Sequence, residues 1–369
     1  MRRTLELFSE DLYGGQSYAD YLNAVVPDPM SGLTAASFFS GCGGLDLGLH
    51  WAGLDTRFAN EIDPNACKTY ALNQKLVPIC QPIESIDVDK VPSVDLIYGG
   101  FPCQPFSYSG LRRGLADTRG TLFYNLATII KLKEPRFILL ENVAGLLKHD
   151  KGRTIGTIKA VLEDVGYRLY TKVLNAADFG VPQIRRRLFI FGVRISCCGI
   201  RAFEFPQENS RKIGVKEAID DLLSKKDLAN NEPMQHRLHV VTRFSKIPPG
   251  GTWRDVPEEH KPRLRGDPTK ITHKKLRLQS HQRLHPDEPC FTITANVQTH
   301  FIHYSQDRNL TPREAARLQS FPDWYEFVGK RSFMSWDKEL CQYQQIGNSV
   351  PPLLARAIGR AIVQFVKQQ

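Results

Sequence analysis

The sequence predicts an α/β fold, a doubly wound and mainly parallel sheet, joined to a second, smaller domain. Three observations predict it. From Ala35 onward, short apolar runs at 36–39, 56–59, 94–98, 137–140, 167–174 and 187–193 alternate with helical patterns, and such alternation builds right-handed βαβ units. After about Ile195 the alternation stops, and Pro, Gly and basic residues dominate as far as Asn309. A chain of 369 residues exceeds the usual size of one domain and can bury a large core without disulfides.

Residues 1–34 form an N-terminal extension of weak patterning, with a short helix around 18–26 stopped by Pro27 and Pro29. The first domain then spans 35–194 and the second 195–309. A hinge and returning helix occupy 310–342, where Thr311 followed by Pro312 is an N-terminal helix signal for 311–320. The closing stretch, 343–369, carries a helix at 352–366 that is expected to pack back on the first domain. No internal repeat or low-complexity tract interrupts this plan.

Eight cysteines are scattered without a Cys-x-x-Cys pair, which speaks against a zinc ribbon and for a reducing compartment. No apolar run reaches membrane-spanning length and the first ten residues lack a signal-peptide core, so a cytoplasmic protein is expected. The formal net charge is +10. Between His236 and Arg283 stand twelve Lys or Arg against four acids, a local excess of +8 that accounts for most of it. A basic segment holding Trp253, His281 and several Pro and Gly fits a phosphate-contacting surface better than a solvated helix face.

The residues that carry chemistry sit where strands end. Phe39, Gly41, Gly43 and Gly44 follow the first strand, where glycines let backbone and ligand approach closely; the spacing is not that of a dinucleotide fingerprint. Glu61 follows the second strand, a position suited to ribose hydroxyls. Tight-turn glycines beside a solvated Glu would read the same way. The sharper signal is Gly99-Gly100-Phe101-Pro102-Cys103-Gln104-Pro105-Phe106-Ser107 directly after a strand. A lone cysteine is usually inert packing, but a thiol on a Gly/Pro-rich loop beyond a strand end stands where catalytic groups stand. Its partners are Glu141, at the end of the strand 137–140, and Arg185 and Arg187, which period-two alternation puts on one face.

Taken in order, the run 39–44, the Phe-Pro-Cys-Gln loop, Glu141-Asn142-Val143, Gln183-x-Arg185-x-Arg187 and Gln345-Ile346-Gly347-Asn348-Ser349-Val350 resemble the motifs of the DNA cytosine-5 methyltransferases. The resemblance covers most of 35–194 and 310–362, and five ordered motifs make it specific. It implies the Rossmann-like S-adenosylmethionine-dependent methyltransferase fold with 195–309 as target-recognition domain. It also implies S-adenosylmethionine as methyl donor with no metal, held by Phe39, Gly41, Gly43, Gly44, Glu61, Asn348 and Ser349. Where many members carry an Asp near adenine this chain has Pro82, which leaves adenine to backbone groups or Glu84.

The resemblance further implies that Cys103 adds to C6 of cytosine, that Glu141 holds a proton at N3, and that Arg187 grips O2 with Arg185 nearby. The target base must be flipped from duplex DNA, and methyltransferases are among the enzymes known to do this. Ser107, Lys274, Lys275, Arg277, Arg283, Thr292 and Thr294 are the expected DNA contacts. Three rival readings compete: an RNA cytosine-5 methyltransferase, a catalytically silent DNA-binding relative, and a nicotinamide dehydrogenase. The long basic segment, the intact Cys103, Glu141, Arg185 and Arg187 set, and the glycine spacing respectively disfavour them. A single catalytic core resembles bacterial or phage enzymes of restriction-modification systems, acting as a nucleoid-associated monomer whose cognate endonuclease is a genetic partner.

Overall fold

The computed structural model describes residues 15–102, 122–197, 199, 201–208, 211–261, 263–264, 267–271 and 281–369, the 263–271 stretch by its backbone. They form two compact units. The first is drawn from Val25–Phe179, Arg185–Glu208 and Ser349–Gln369, the second from Met1–Ala24, Gly180–Ile184 and Asn209–Asn348.

In the first unit the strands are β1 (Thr34–Phe38), β2 (Asp55–Glu61), β3 (Ile79–Cys80), β4 (Leu96–Gly99), β5 (Phe137–Val143) and β6 (Tyr167–Asn175). The short β7 (Gln183–Ile184) belongs to the second unit, and β8 (Arg186–Arg194) returns to the first. The sheet order is β3-β2-β1-β4-β5-β8-β6. The first five strands are mutually parallel, and β8 runs antiparallel to both β5 and β6. The six apolar runs all become strands, and the central ones, β1, β4 and β5, are covered on both faces and read as continuous apolar stretches. Two-residue β3 is too short to show a period. The order reverses between β1 and β4, so the loops leaving their ends diverge and open a crevice.

After α1 (Tyr18–Asn23), which belongs to the second unit, come α2 (Gly44–Trp51), α3 (Pro64–Asn73), α4 (Leu122–Lys133) and α5 (Arg153–Asp164). One side of the sheet packs Phe38, Ile97, Ile138 and Leu188 against Leu126 and Ile130 of α4 and Ile158 and Leu162 of α5. The last helix, α11 (Pro352–Lys367), packs on α2, and its Phe365 lies edge-on to Phe137, Phe191 and Phe203. Asp28 fastens the N-terminal chain there: its carboxylate accepts from Arg356 at 2.9 Å and from Arg360 at 2.6 and 2.7 Å.

The second unit is loop-rich. It holds α6 (Val215–Ile219), α7 (Leu238–Ser245), the hairpin β9 (Arg263–Leu264) and β10 (Asp267–Ile271), and the parallel pair β11 (Gln282–Arg283) and β13 (Phe301–Ile302). β12 (Cys290–Phe291) pairs in parallel with β7. The helices α8 (Val297–His300), α9 (Pro312–Leu318) and α10 (Gln342–Asn348) complete it. As the sequence signals, Thr311 caps α9, in a capping box with Glu314. The centre of this unit is polar. Arg317, fully buried, donates to both oxygens of Asp323 at 2.7 Å and to Asp221 at 3.1 Å, while Arg313 donates to the carbonyls of Ala229, Pro322 and Tyr325. Asn23 of α1 joins through Asp323, donating to its carboxylate and accepting from its N–H. The units part between Asn348 and Ser349, six residues later than the sequence division at 342/343, because Gln345 is tied to the carbonyls of Val328 and Leu340.

Candidate active site

The loop after β1 is a tight turn: Phe39 and Gly41 both have φ of 54°, and Gly43, at φ 89°, caps α2. A non-glycine residue in the left-handed region is strained and marks a site the surroundings hold in place. Glu61 does the holding. Its Oε2 accepts the Gly41 N–H at 2.8 Å, and its Oε1 accepts those of Ile62 at 2.9 Å and Asp63 at 3.0 Å. Burial raises the pKa of its carboxyl against those three bonds. A carboxylate has about four lone-pair sites, so one further donor can still be accepted. Ser349 hydrogen-bonds Cys42 within the same loop, and burial pushes the Cys42 thiol up to about 12, so it packs and does not react.

The Ser40 hydroxyl is buried with no partner among the described residues. Together with the spare capacity of Glu61, it fits a polar nucleoside ligand in this turn. Phe39, Gly41, Gly43, Gly44, Glu61 and Ser349 thus gather in one unit, whereas Asn348 ends α10, exposed, in the other. No pattern in the sequence pointed to Asp46 of α2. Its buried Oδ1 accepts from Tyr70 at 2.9 Å and Tyr98 at 2.8 Å, bracing the turn from below.

The loop after β4 begins with two glycines for two separate reasons. A Cβ on Gly99 would stand 2.1 Å from the Phe38 carbonyl oxygen, and one on Gly100 would stand 2.8 Å from Glu141 Oε2. Buried Asn142 donates to the Phe101 carbonyl at 2.9 Å and fixes the chain as it enters Pro102. Cys103 and Ser107 lie outside the described residues. Beside this loop Glu141 Oε1 meets Arg187 Nε at 3.0 Å, both side chains nearly buried. Burial raises the Glu141 carboxyl, with Arg187 and then Arg185 opposing it. Arg185 is itself buried, and burial together with repulsion from Arg187 holds its pKa well below the ordinary value.

This meeting depends on strand direction. Because β8 is antiparallel to β5, its first residues lie beside the last of β5, Arg187 opposite Val143 and Phe189 opposite Glu141. A carboxyl and two guanidinium groups are thereby brought to the end of the sheet that carries the glycine turn.

A model of the C-5 cytosine-specific DNA methylases matches residues 33–364. The chain belongs to that family. The type II methyltransferase M.Eco47II of Escherichia coli is 39% identical over 341 residues, covering 90% of this chain and 79% of that protein. The type II methyltransferase M.DdeI of Desulfomicrobium norvegicum is 37% identical over 363 residues, covering 88% and 87%. A solved structure of a prophage-encoded protein from E. coli, assigned as a DNA modification methyltransferase, superposes with a TM-score of 0.68. It is 24% identical and covers 91% of this chain and 99% of its own, a likeness of fold alone. The enzyme is a DNA cytosine-5-methyltransferase, and its family implies S-adenosylmethionine as methyl donor and DNA as substrate. Among the described residues no His, Cys, Asp or Glu cluster could hold a metal, and no helix is long and apolar enough to cross a membrane.

In this methyltransferase the motif glutamine Gln183 starts a buried amide relay within the second unit. Its Nε2 donates to Gln319 Oε1 at 2.8 Å, Gln319 Nε2 donates to the Ile346 carbonyl at 2.7 Å, and Gln183 Oε1 accepts the Ile293 N–H at 2.9 Å. Gly347 lies flat on this segment, where a Cβ would come within 2.2 Å of the Thr294 carbonyl carbon. Gln319 had no signal in the sequence beyond being a glutamine at the end of a helix.

Several residues expected to contact DNA are engaged within the protein. Arg283 is buried and donates to the carbonyls of Phe244, Ile247, His303 and Gln306 and to Asp307, so its donors are consumed internally. Trp253 is buried, and burial drives His281 down to about 4, so both are packing groups and not a phosphate surface. The Thr292 hydroxyl donates to the Ile184 carbonyl at 2.8 Å, and that of Thr294 lies 3.3 Å from His300 Nδ1. Of the other bases in the segment, Arg237, Lys246 and Arg254 are exposed, Arg243 donates to the His260 carbonyl, and Lys274, Lys275 and Arg277 lie outside the described residues.

Proposed function

We propose that the enzyme methylates C5 of one cytosine, flipped from duplex DNA within a short specific sequence, with Cys103 as covalent nucleophile. The observation that carries this reading is Glu141: a buried carboxyl with a raised pKa, paired to Arg187 at 3.0 Å, pressed against the glycine that leads into the Cys103 loop.

Cytosine C5 is a weak nucleophile until something adds at C6. The Cys103 thiolate forms that bond, pushing electron density onto C5. A carboxyl that burial keeps close to its protonated form is suited to hold a proton at N3 as negative charge spreads through the ring. Arg187 fixes the orientation of that carboxyl and presents further N–H groups to the base O2. Arg185 adds positive charge that favours thiolate over thiol. S-adenosylmethionine, when bound, supplies the methyl group to C5. Glu61 and the 39–44 turn hold its ribose and methionine portion, with Ser349 bracing the turn through Cys42. Removal of the C5 proton and expulsion of Cys103 release the product.

The exposed bases of 236–283, with Lys274, Lys275 and Arg277, would clamp phosphates while base edges are read. The type II relatives favour a restriction-modification setting for this activity, with a cognate endonuclease as genetic partner. The deciding experiment transfers labelled methyl from S-adenosylmethionine to mixed-sequence duplex DNA, followed by bisulfite sequencing. Protection of one cytosine in a recurring sequence, lost in Cys103→Ser with cofactor binding kept, supports the reading. Turnover retained in Cys103→Ser removes the nucleophile.

A further inference from the structure

Two thiols stand behind the ribose-binding carboxylate. Cys67, buried on α3, donates to the main-chain carbonyl of Glu61 at 3.6 Å, and Cys80, exposed on the edge strand β3, donates to that of Ile62 at 3.8 Å. Cys80 is also the register partner of Glu61 across the β2–β3 pair, so the two thiols sit on the consecutive carbonyls of Glu61 and Ile62. No step of methyl transfer uses either. Between them they hold the carbonyls of Glu61 itself and of Ile62, one of the three residues whose N–H groups fix the Glu61 carboxylate.

We propose that Cys67 and Cys80 form a reversible oxidation site, a disulfide that weakens binding of the methyl donor. The inference rests on the reading of Glu61 as the ribose residue. Cys80, the accessible thiol, attacks a hydroperoxide, taking one oxygen as a sulfenic acid while the alcohol or water leaves. Cys67 then displaces the hydroxyl from the Cys80 sulfur, its proton leaving in the water formed. Two thiols and one hydroperoxide give one disulfide, one alcohol and one water. A disulfide needs its sulfurs about 2 Å apart, closer than two free thiols stand, and it removes both S–H donors. The carbonyls of Glu61 and Ile62 lose their partners, and β3 is drawn toward α3. Disulfides in a reducing compartment are commonly transient and redox-sensing, which suits a strand edge reachable by oxidant and reductant.

The test uses the full chain treated with hydrogen peroxide, because Cys103 also oxidises and activity alone is therefore not diagnostic. Peptide mapping without reductant is expected to show a Cys67–Cys80 cross-link. Equilibrium dialysis is expected to show S-adenosylmethionine bound about tenfold more weakly, the effect of misplacing one hydrogen bond to a charged group, with recovery on adding dithiothreitol. Cys80→Ser should bind and methylate normally and keep its affinity after peroxide. Absence of the cross-link overturns the proposal, as does a loss of affinity that persists in Cys80→Ser. A cross-link that leaves affinity unchanged overturns the coupling to Glu61. If Glu61→Ala binds S-adenosylmethionine as tightly as the parent enzyme, the ribose reading fails by itself, separately from whether the cross-link forms.

Discussion

Replacing Gly100 with alanine should disable the enzyme without unfolding it. Gly100 has no positive φ, so its backbone suits any residue, and among the described residues the one atom in the way of a Cβ is Glu141 Oε2 at 2.8 Å. Moving that oxygen out to an ordinary 3.4 Å requires a shift of 0.6 Å in the carboxylate. The shift works against Arg187, which holds the other oxygen at 3.0 Å. Misplacing a reacting group by about 1 Å can cost about a hundredfold in rate, so a loss of roughly ten- to fiftyfold is expected, about 1.4–2.3 kcal/mol of transition-state stabilisation. Stability should fall by less than about 1 kcal/mol, since only a side-chain end has to move. Gly99→Ala is the control: its Cβ would meet the Phe38 main-chain oxygen at 2.1 Å, and strand β1 cannot yield. That variant should lose about 3 kcal/mol or fail to fold. Single-turnover methylation of a duplex, with thermal unfolding in parallel, separates the two. A Gly100→Ala enzyme with the parent rate and the parent Tm would refute the role given to the Glu141 position.

Four further outcomes follow from the same geometry. Because burial raises the Glu141 carboxyl and the protonated form is the useful one, kcat/KM should fall as pH rises through that pKa; Glu141→Gln should lower the rate roughly 10²- to 10⁴-fold and remove this alkaline limb. Gln319→Leu leaves Gln183 Nε2 and the Ile346 carbonyl short of a partner, so it should cost about 1–3 kcal/mol by thermal unfolding and raise KM for DNA, whereas Gln319→Glu should restore part of the relay. Neutralising Lys274, Lys275 and Arg277 should reduce the salt slope of DNA binding by about 0.9 for each phosphate no longer neutralised, and an unchanged slope would place the phosphate surface elsewhere. Burial drives His303 from 6.5 down to about 4, so the folded state favours the neutral ring. The sign follows: its stabilising effect is complete above pH 6.5 and is lost as pH falls toward 4, on the order of 3 kcal/mol, and His303→Gln should flatten unfolding free energy against pH across that window.

What the sequence could disclose was set by where hydrogen bonds go. In the first unit the sheet satisfies the backbone, side chains are left to pack, and the apolar runs at 94–98 and 137–140 announce the strands and hence the loops holding Gly100 and Glu141. Periodicity carries no direction, however. The antiparallel course of β8 was invisible, although it alone brings Arg187 beside Glu141. In the second unit short strands and helices leave many carbonyls open, and long polar side chains fill them: Arg283 alone serves four, and Arg313 three. An arginine spent this way has the same letter as one that grips a phosphate. Counting charge from 236 to 283 therefore marked out a basic region but overstated its free cations, and reading Gln183 as part of a motif did not reveal Gln319 as its partner. Chemistry at strand ends is legible because the strand fixes the address. Where side chains replace the sheet as partners for the backbone, only coordinates separate a structural cation from a binding one.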